Sequence, residues 1–113
     1  MMTPIWTELN HFVLRTIQAA YLAGEMRKTR DCLEDMARAR LFEADVENVI
    51  THAETIDKAM PATSERASSR SNTHYVIQGT STKGVKVYCK VCSNYHPHTN
   101  EFIEWKLTSF TIK

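Results

Sequence analysis

Two cysteines and two histidines stand close together late in the sequence, in the order Cys89-x-x-Cys92-x-x-x-His96-x-His98. Two thiolates and two imidazoles make a complete tetrahedral ligand set for zinc. The residues around Cys89 alternate as in a β-strand, however, and side chains three positions apart on a strand leave opposite faces. We therefore predict that no metal binds here, that Cys89 is a small core residue, and that His96 and His98 lie on a loop.

The other three histidines are candidates for acid–base chemistry. His11 falls beside the apolar stripe of a predicted helix, and His52 falls at the end of another, where an imidazolium suits the helix dipole. His74 opens a predicted strand beside a polar loop. We interpret His74 as the histidine that would act in catalysis.

Cations and an aromatic ring alternate along one predicted strand. Lys86, Tyr88 and Lys90 would project from the same face of it. Such a face suits RNA, whose phosphates contact cations and whose splayed bases stack on rings. The alternative is a solvated face that lysines protect from edge pairing. The residues predicted to bind nucleic acid are Lys86, Tyr88, Lys90, Lys106, Arg66 and Arg70, and those predicted to act in catalysis are His74, Tyr88 and Lys86.

The composition of the chain limits the class of protein and the cellular location that we expect. The chain of 113 residues is 42% hydrophobic and 24% charged, which is typical of a single globular domain. No apolar run approaches the ~20 residues of a membrane helix. Its three cysteines cannot make a closed disulfide framework. We predict one domain spanning residues 1–113, a cytoplasmic location without membrane contact, and no cofactor.

Charge is distributed unevenly along the chain. Residues 1–60 carry seven Lys or Arg and ten Asp or Glu, whereas residues 61–113 carry seven and three. An acidic first half and a basic second half would place opposite charges on different surfaces of one small domain. The formal net charge of +1 argues against a field of one sign over the whole protein.

The first half of the chain has the apolar spacing of helices. Thr3-Pro4 is a helix start signal, and Gly24 is the expected end of this first helix. A second helix is predicted after the capping residue Thr29, and a third follows a buried corner at Leu41-Phe42. The apolar positions spaced by three and four are Ile5, Leu9, Phe12, Val13, Ile17, Ala20 and Tyr21, then Cys32, Leu33, Met36 and Ala37, then Val46, Val49, Ile50 and Ala53.

The second half has the alternation of β-strands. Residues 61–73 contain no large apolar side chain, so we expect a mobile surface loop there. Strands are predicted over residues 54–58 (a short edge strand), 75–79, 85–92 and 102–112, with a turn at 81–84 and a one-residue bulge near Thr108-Ser109.

These patterns predict an α+β fold. Three N-terminal helices in residues 1–53 would pack on an antiparallel meander of three to four strands in residues 54–113. Period-2 strands facing period-3.6 helical stripes define the expected core. Its predicted members are Leu9, Phe12, Val13, Met36, Val49, Val85, Val87, Cys89, Val91, Ile103, Trp105 and Leu107.

Three segments carry a family resemblance. In Cys32–Ile50 an acidic stretch ending in Asp-Val leads into an apolar helix, and Tyr75–Gly79 and Val85–Val91 flank a Lys83-Gly84 turn. On these segments residues 29–113 resemble the bacterial family catalogued as domain of unknown function 4258. The resemblance implies a compact fold of the RelE and ParE toxin type, RNA cleavage or inhibition of a nucleic-acid enzyme, and an antitoxin-like protein partner.

The sequence departs from that family at its polar positions. Asp31, Asp35, Ala39 and Arg40 stand where the family has His, Arg, Arg and Gly, whereas the matching positions are those of packing and capping. Two functional hypotheses follow. The first is a toxin-nuclease-like domain that acts on RNA through the basic sheet face. The alternative is a catalytically inert protein–protein interaction or dimerisation domain, which could be a homodimer.

Overall fold

A computed structural model describes residues 4–61, 73–96 and 101–112, and within them the side chains of residues 9–59, 73–93 and 104–112. Several predictions fall outside this part of the chain. They concern the interior of the loop at 61–73 with Arg66 and Arg70, the side chains of His96 and Ile103, and His98.

The prediction of an α+β fold with three helices is confirmed. The elements are α1 (Pro4–Leu22), β1 (Arg27–Lys28), α2 (Arg30–Ala39), α3 (Glu43–His52), β2 (Lys58–Pro61), β3 (Thr73–Thr80), β4 (Lys86–His96) and β5 (Glu101–Ile112). In the described residues the sheet has five strands, in the order β1-β5-β4-β3-β2, instead of the three to four predicted. β2 to β5 form the predicted antiparallel meander, and β1 adds a parallel edge. The predictions that the strand after the 81–84 turn ends at residue 92 and that His96 lies on a loop were wrong, because β4 continues in pairing with β5 as far as His96.

Helix ends follow their local signals. α1 begins at Pro4 and ends before Gly24, whose φ of 73° is one that glycine adopts without strain. The Thr29 hydroxyl accepts a hydrogen bond from the Cys32 N–H at 3.2 Å and so caps α2 as predicted. The end of α3 is satisfied by a distant residue instead. The Gln18 amide of α1 donates hydrogen bonds to the carbonyls of Ile50 and Ala53.

The core lies between the three helices and one face of the sheet. Most of the predicted core is confirmed. The buried residues of this core are Val13, Leu14, Ile17, Ala20, Cys32, Met36, Leu41, Val46, Val49, Ile50, Ile56, Ile77, Val87, Cys89, Val91, Trp105, Leu107 and Phe110. The prediction was wrong for Leu9 and Phe12, which are 48% and 55% exposed. α1 is rotated because it buries Asn10, whose amide binds the Ile56 backbone.

Two further core predictions were wrong. Val85 is 39% exposed because it precedes β4 and its backbone closes the turn onto Ser81. Phe42 is 64% exposed because it occupies the N-cap position of α3, where its N–H donates to the Asp45 carboxylate at 2.7 Å. Its neighbour Leu41 is buried as predicted.

The meander contains two register shifts. Lys90 pairs with Ser109 and Val91 pairs with Leu107, so Thr108 is the extra residue of the predicted bulge. A second shift, which was not predicted, lies near Glu104, where φ is 58°. The Thr108 bulge keeps the apolar positions on both sides of it facing the helices.

The edge strands were poorly predicted. β1 was missed because two residues, paired as Arg27 with Lys106 and Lys28 with Leu107, carry no alternating pattern. β2 begins at Lys58 instead of spanning residues 54–58, because the backbone of Ile56 is bound by α1. Within the described residues, no helix is long and apolar enough to cross a membrane.

Candidate nucleic-acid interface

The side of the sheet away from the helices carries mostly polar side chains, and we call it the outer face. Strand pairing defines its members, because residues opposite each other on neighbouring strands project to the same side. In β4 these are the residues that alternate with the buried Val87, Cys89 and Val91. The outer face contains Arg27, Lys58, His74, Val76, Gln78, Lys86, Tyr88, Lys90, Cys92, Lys106, Ser109 and Thr111.

Among the residues that the structure describes, five permanent cations share this face. The structure brings Lys86, Lys90 and Lys106 together on it, as predicted. It adds Arg27, which pairs with Lys106, and Lys58, which pairs with Val76. Sequence reasoning missed both additions because they sit on the two edge strands and in the acidic half of the chain.

Tyr88 lies in the middle of the outer face. It pairs with Gln78 on one side and with Thr111 on the other. The Lys90 ammonium lies 6.0 Å from the centroid of the Tyr88 ring, which is at the outer limit of a cation–π contact. The ring is partly exposed and therefore offers a surface on which a planar group can stack.

The outer face also contains an apolar side chain, Val76. It is fully buried although it lies on the outer face, and it is not a member of the core under the helices. Its register neighbours are Lys58 and Lys90. Their aliphatic stems can cover the Val76 side chain while the ammonium groups stay in water.

His74 lies in the same cationic surroundings. It pairs with Cys92, which pairs in turn with Lys106, so an imidazole, a thiol and an ammonium form one row across three strands. Partial burial lowers the pKa of His74 below its usual value, and the charge of Lys90 lowers this pKa further. The imidazole is therefore neutral near pH 7 and can accept a proton.

The structure does not bring the three predicted catalytic residues into one site. Lys86 stands six residues from Cys92 along β4, which corresponds to about 20 Å of strand. Tyr88 stands between them, about 13 Å from the row of His74. On the outer face, the described polar groups near His74 are instead Lys90 and Cys92, and Lys106 lies one strand beyond Cys92.

The two cysteines of the zinc pattern lie on opposite faces of β4. Cys89 is fully buried in the core, and burial raises the pKa of its thiol. Cys92 is partly exposed on the outer face, and its pKa is also raised by burial despite the nearby Lys106. Among the described residues, no group of three or more His, Cys, Asp or Glu is arranged to hold a metal ion.

Comparisons of the chain with protein-family models, curated proteins and solved structures found no match. The resemblance of residues 29–113 to the bacterial family named above therefore stays a prediction.

Proposed function

We propose that the protein binds single-stranded RNA on the outer face of its sheet. The observation that carries this proposal is that the described cations Arg27, Lys58, Lys86, Lys90 and Lys106 lie on the same face as the partly exposed Tyr88. Phosphates would contact the ammonium and guanidinium groups, and one base would stack on Tyr88. Electrostatic contacts of this kind supply most non-specific affinity, and aromatic stacking favours single strands over duplexes.

The stacking role of Tyr88 gives the sharpest test of this proposal. Tyr88→Ala should weaken binding of a fluorescent single-stranded oligoribonucleotide by about 1–3 kcal/mol, because the stacking surface is removed. Its effect on duplex RNA of the same sequence should be small. Tyr88→Phe is the matched control, since it keeps the ring. Equal losses for single strands and duplexes, or no binding of wild-type protein at low salt, would refute the proposal.

A second step of the proposal is that His74 cleaves the bound strand. The neutral imidazole would take the proton of a ribose 2′-hydroxyl, and the 2′-oxygen would attack the neighbouring phosphorus. The bond from phosphorus to the next 5′-oxygen breaks, and this oxygen takes a proton from water. The products are a 2′,3′-cyclic phosphate and a 5′-hydroxyl. Lys90 and Lys106 would stabilise the negative charge that gathers on the phosphate oxygens.

Cleavage can be tested separately from binding. His74→Ala should lower the cleavage rate by a factor of about 100 or more, whereas His11→Ala, on the exposed side of α1, should not change it. An oligonucleotide with 2′-deoxyribose at the cut site should bind and stay intact. If wild-type protein binds RNA and leaves it whole, His74 has no catalytic role and the binding proposal stands alone.

The alternative function is a catalytically inert protein–protein interaction or dimerisation domain. The exposure of Leu9 and Phe12, one turn apart on α1, favours it. The RNA-binding titration at low salt separates the two functions. If wild-type protein does not bind RNA, the remaining proposal is association with a protein through the helices. Light scattering would then give the number of chains in the particle.

A further inference from the structure

A polar cleft of about 470 Å³ opens at the edge of the sheet between α3 and β3. β2 pairs with β3 only between Thr73 and Val76, and the chain before Lys58 turns away toward α1. The space beside the end of β3 is therefore left to the C-terminal turn of α3 and the segment after it. Its polar lining consists of Asn48, His52, Glu54, Thr55, Asp57, Gln78 and Thr80.

The floor of the cleft is shaped by a close approach of α3 to β3. A Cβ atom placed on Gly79 would lie 3.1 Å from a methyl group of Val49, so glycine allows the helix to sit this near. Val49 and Gly79 also line the cleft. Apolar groups of Val49 and Gly79 beside polar lining residues suit a planar ring with polar edges.

The rim of the cleft is rich in hydrogen-bond acceptors. Glu54 and Asp57 contribute carboxylates, which are acceptors only. His52 Nδ1 lies 3.0 Å from the Asn48 carbonyl, so Nδ1 carries the proton and Nε2 is an acceptor in the neutral ring. The Asn48 amide nitrogen already donates to the Thr80 carbonyl at 2.8 Å. The cleft therefore repels phosphate and suits a ligand edge that presents donors.

The cleft lies beside the outer face. Gln78 lines the cleft and is also the residue directly opposite Tyr88 on the neighbouring strand. Neighbouring strands lie about 5 Å apart. A base stacked on Tyr88 would thus have its adjacent nucleotide at the mouth of the cleft.

We infer that this cleft takes a guanine base splayed out from the strand bound on the outer face, an inference that rests on the RNA-binding proposal. Guanine presents two neighbouring donors, N1–H and the N2 amino group, and a carboxylate can accept from both at once. Adenine and cytosine each offer an amino group beside an acceptor, and uracil a single donor between two acceptors. Two carboxylates at the rim therefore favour guanine over the other bases, and the hydrogen bonds go to its Watson–Crick edge.

The test compares oligouridylates that contain one guanosine, adenosine, cytidine or inosine at the same position. Wild-type protein should bind the guanosine oligomer about tenfold more tightly than the adenosine one. Inosine, which lacks the N2 amino group, should fall between them. The double variant Glu54→Gln/Asp57→Asn should bind all four alike. Glu25→Gln/Glu47→Gln, two exposed changes at residues that do not line the cleft, controls for the two lost charges and should keep the preference.

The ratio of affinities is the readout, because removal of carboxylates strengthens binding of every RNA. Wild-type protein that binds the four oligomers equally would overturn the guanine cleft and leave the RNA-binding proposal intact. A preference that survives in the double variant would also overturn it. Wild-type protein that binds none of them at low salt would overturn the RNA-binding proposal, and the guanine cleft with it.

Discussion

The side chain of Asn10 pairs with the backbone of Ile56 in both directions. Its Nδ2 donates to the Ile56 carbonyl at 2.8 Å, and its Oδ1 accepts from the Ile56 N–H at 3.0 Å. Both residues are buried. The Asn10 amide therefore satisfies both backbone groups of Ile56, which lies before β2 and outside the sheet. This contact fixes the rotation of α1 and the residue at which β2 begins.

Asn10→Ala should destabilise the protein by about 1–3 kcal/mol, because it leaves a buried N–H and a buried carbonyl without their partner. His11→Ala, at the exposed neighbouring position, is the control and should change stability little. Urea unfolding followed by tryptophan fluorescence measures the difference. An Asn10→Ala midpoint equal to that of His11→Ala would show that the amide pairing contributes nothing to stability.

Asp45 should make the free energy of unfolding depend on pH in the acidic range. Burial alone would raise the pKa of this carboxyl, but hydrogen bonds from the Phe42 N–H and from the N–H and hydroxyl of Thr82 lower it below its usual value. A lowered folded-state pKa contributes stability above the unfolded pKa of about 3.9, and this contribution is lost as pH falls through the folded pKa.

Asp45→Asn should therefore be less stable than wild type at pH 7 by about 1–3 kcal/mol. Its stability should change less than that of wild type as the pH is lowered below about 4. Glu47→Gln, two residues further along α3 and exposed, should behave as wild type. Parallel pH profiles for wild type and Asp45→Asn would contradict this role of Asp45.

Trp105 is the largest side chain that β5 places under the helices. It is buried, and its ring centroid lies 6.1 Å from that of Tyr75. Trp105→Ala should lower the free energy of unfolding by about 3–5 kcal/mol. Ile112→Ala, on the same strand but 46% exposed, should have a much smaller effect. Similar melting temperatures for the two variants would show that the Trp105 side chain does not stabilise the core as its burial indicates.

What the sequence predicts well in this chain is what depends on local pattern. The period of two in β4 places Cys89 inside and Cys92 outside, and a hydroxyl at Thr29 caps α2. The bulge at Thr108 could also be predicted, because two alternating apolar sets in β5 are out of phase by one residue.

What the sequence could not predict depends on contacts between distant residues. Leu9 belongs to the predicted apolar stripe and Asn10 does not, and only the Ile56 backbone, 46 residues from Asn10, decides that the amide is buried and the leucine is not. The same holds for the candidate site. Arg27 and Lys58 join the outer face through edge pairing, and the acceptor-rich cleft exists because β2 begins late.

The thiols should report which face of β4 is accessible. Iodoacetamide should modify the partly exposed Cys92 in the folded protein, whereas Cys89 and Cys32 should react only after unfolding, because both are buried. Modification at Cys92 should weaken RNA binding, since it places bulk between His74 and Lys106. Mass spectrometry of the intact and digested protein measures the sites, and early labelling of Cys89 would contradict the assignment of faces.

The central claim, that the outer face binds single-stranded RNA, is tested most directly by charge reversal at two of its lysines. Lys90→Glu/Lys106→Glu removes two proposed phosphate contacts. The control, Arg15→Glu/Arg30→Glu, makes the same change in charge at exposed positions of α1 and α2. The measurement is the affinity for a fluorescent single-stranded oligoribonucleotide at several salt concentrations. The lysine variant should bind far more weakly at low salt, and its log–log salt slope should be shallower by roughly 0.7 for each lost contact. The control should keep the slope of wild type. Wild-type protein that does not bind at low salt, or a control that loses as much affinity and slope as the lysine variant, would contradict the claim.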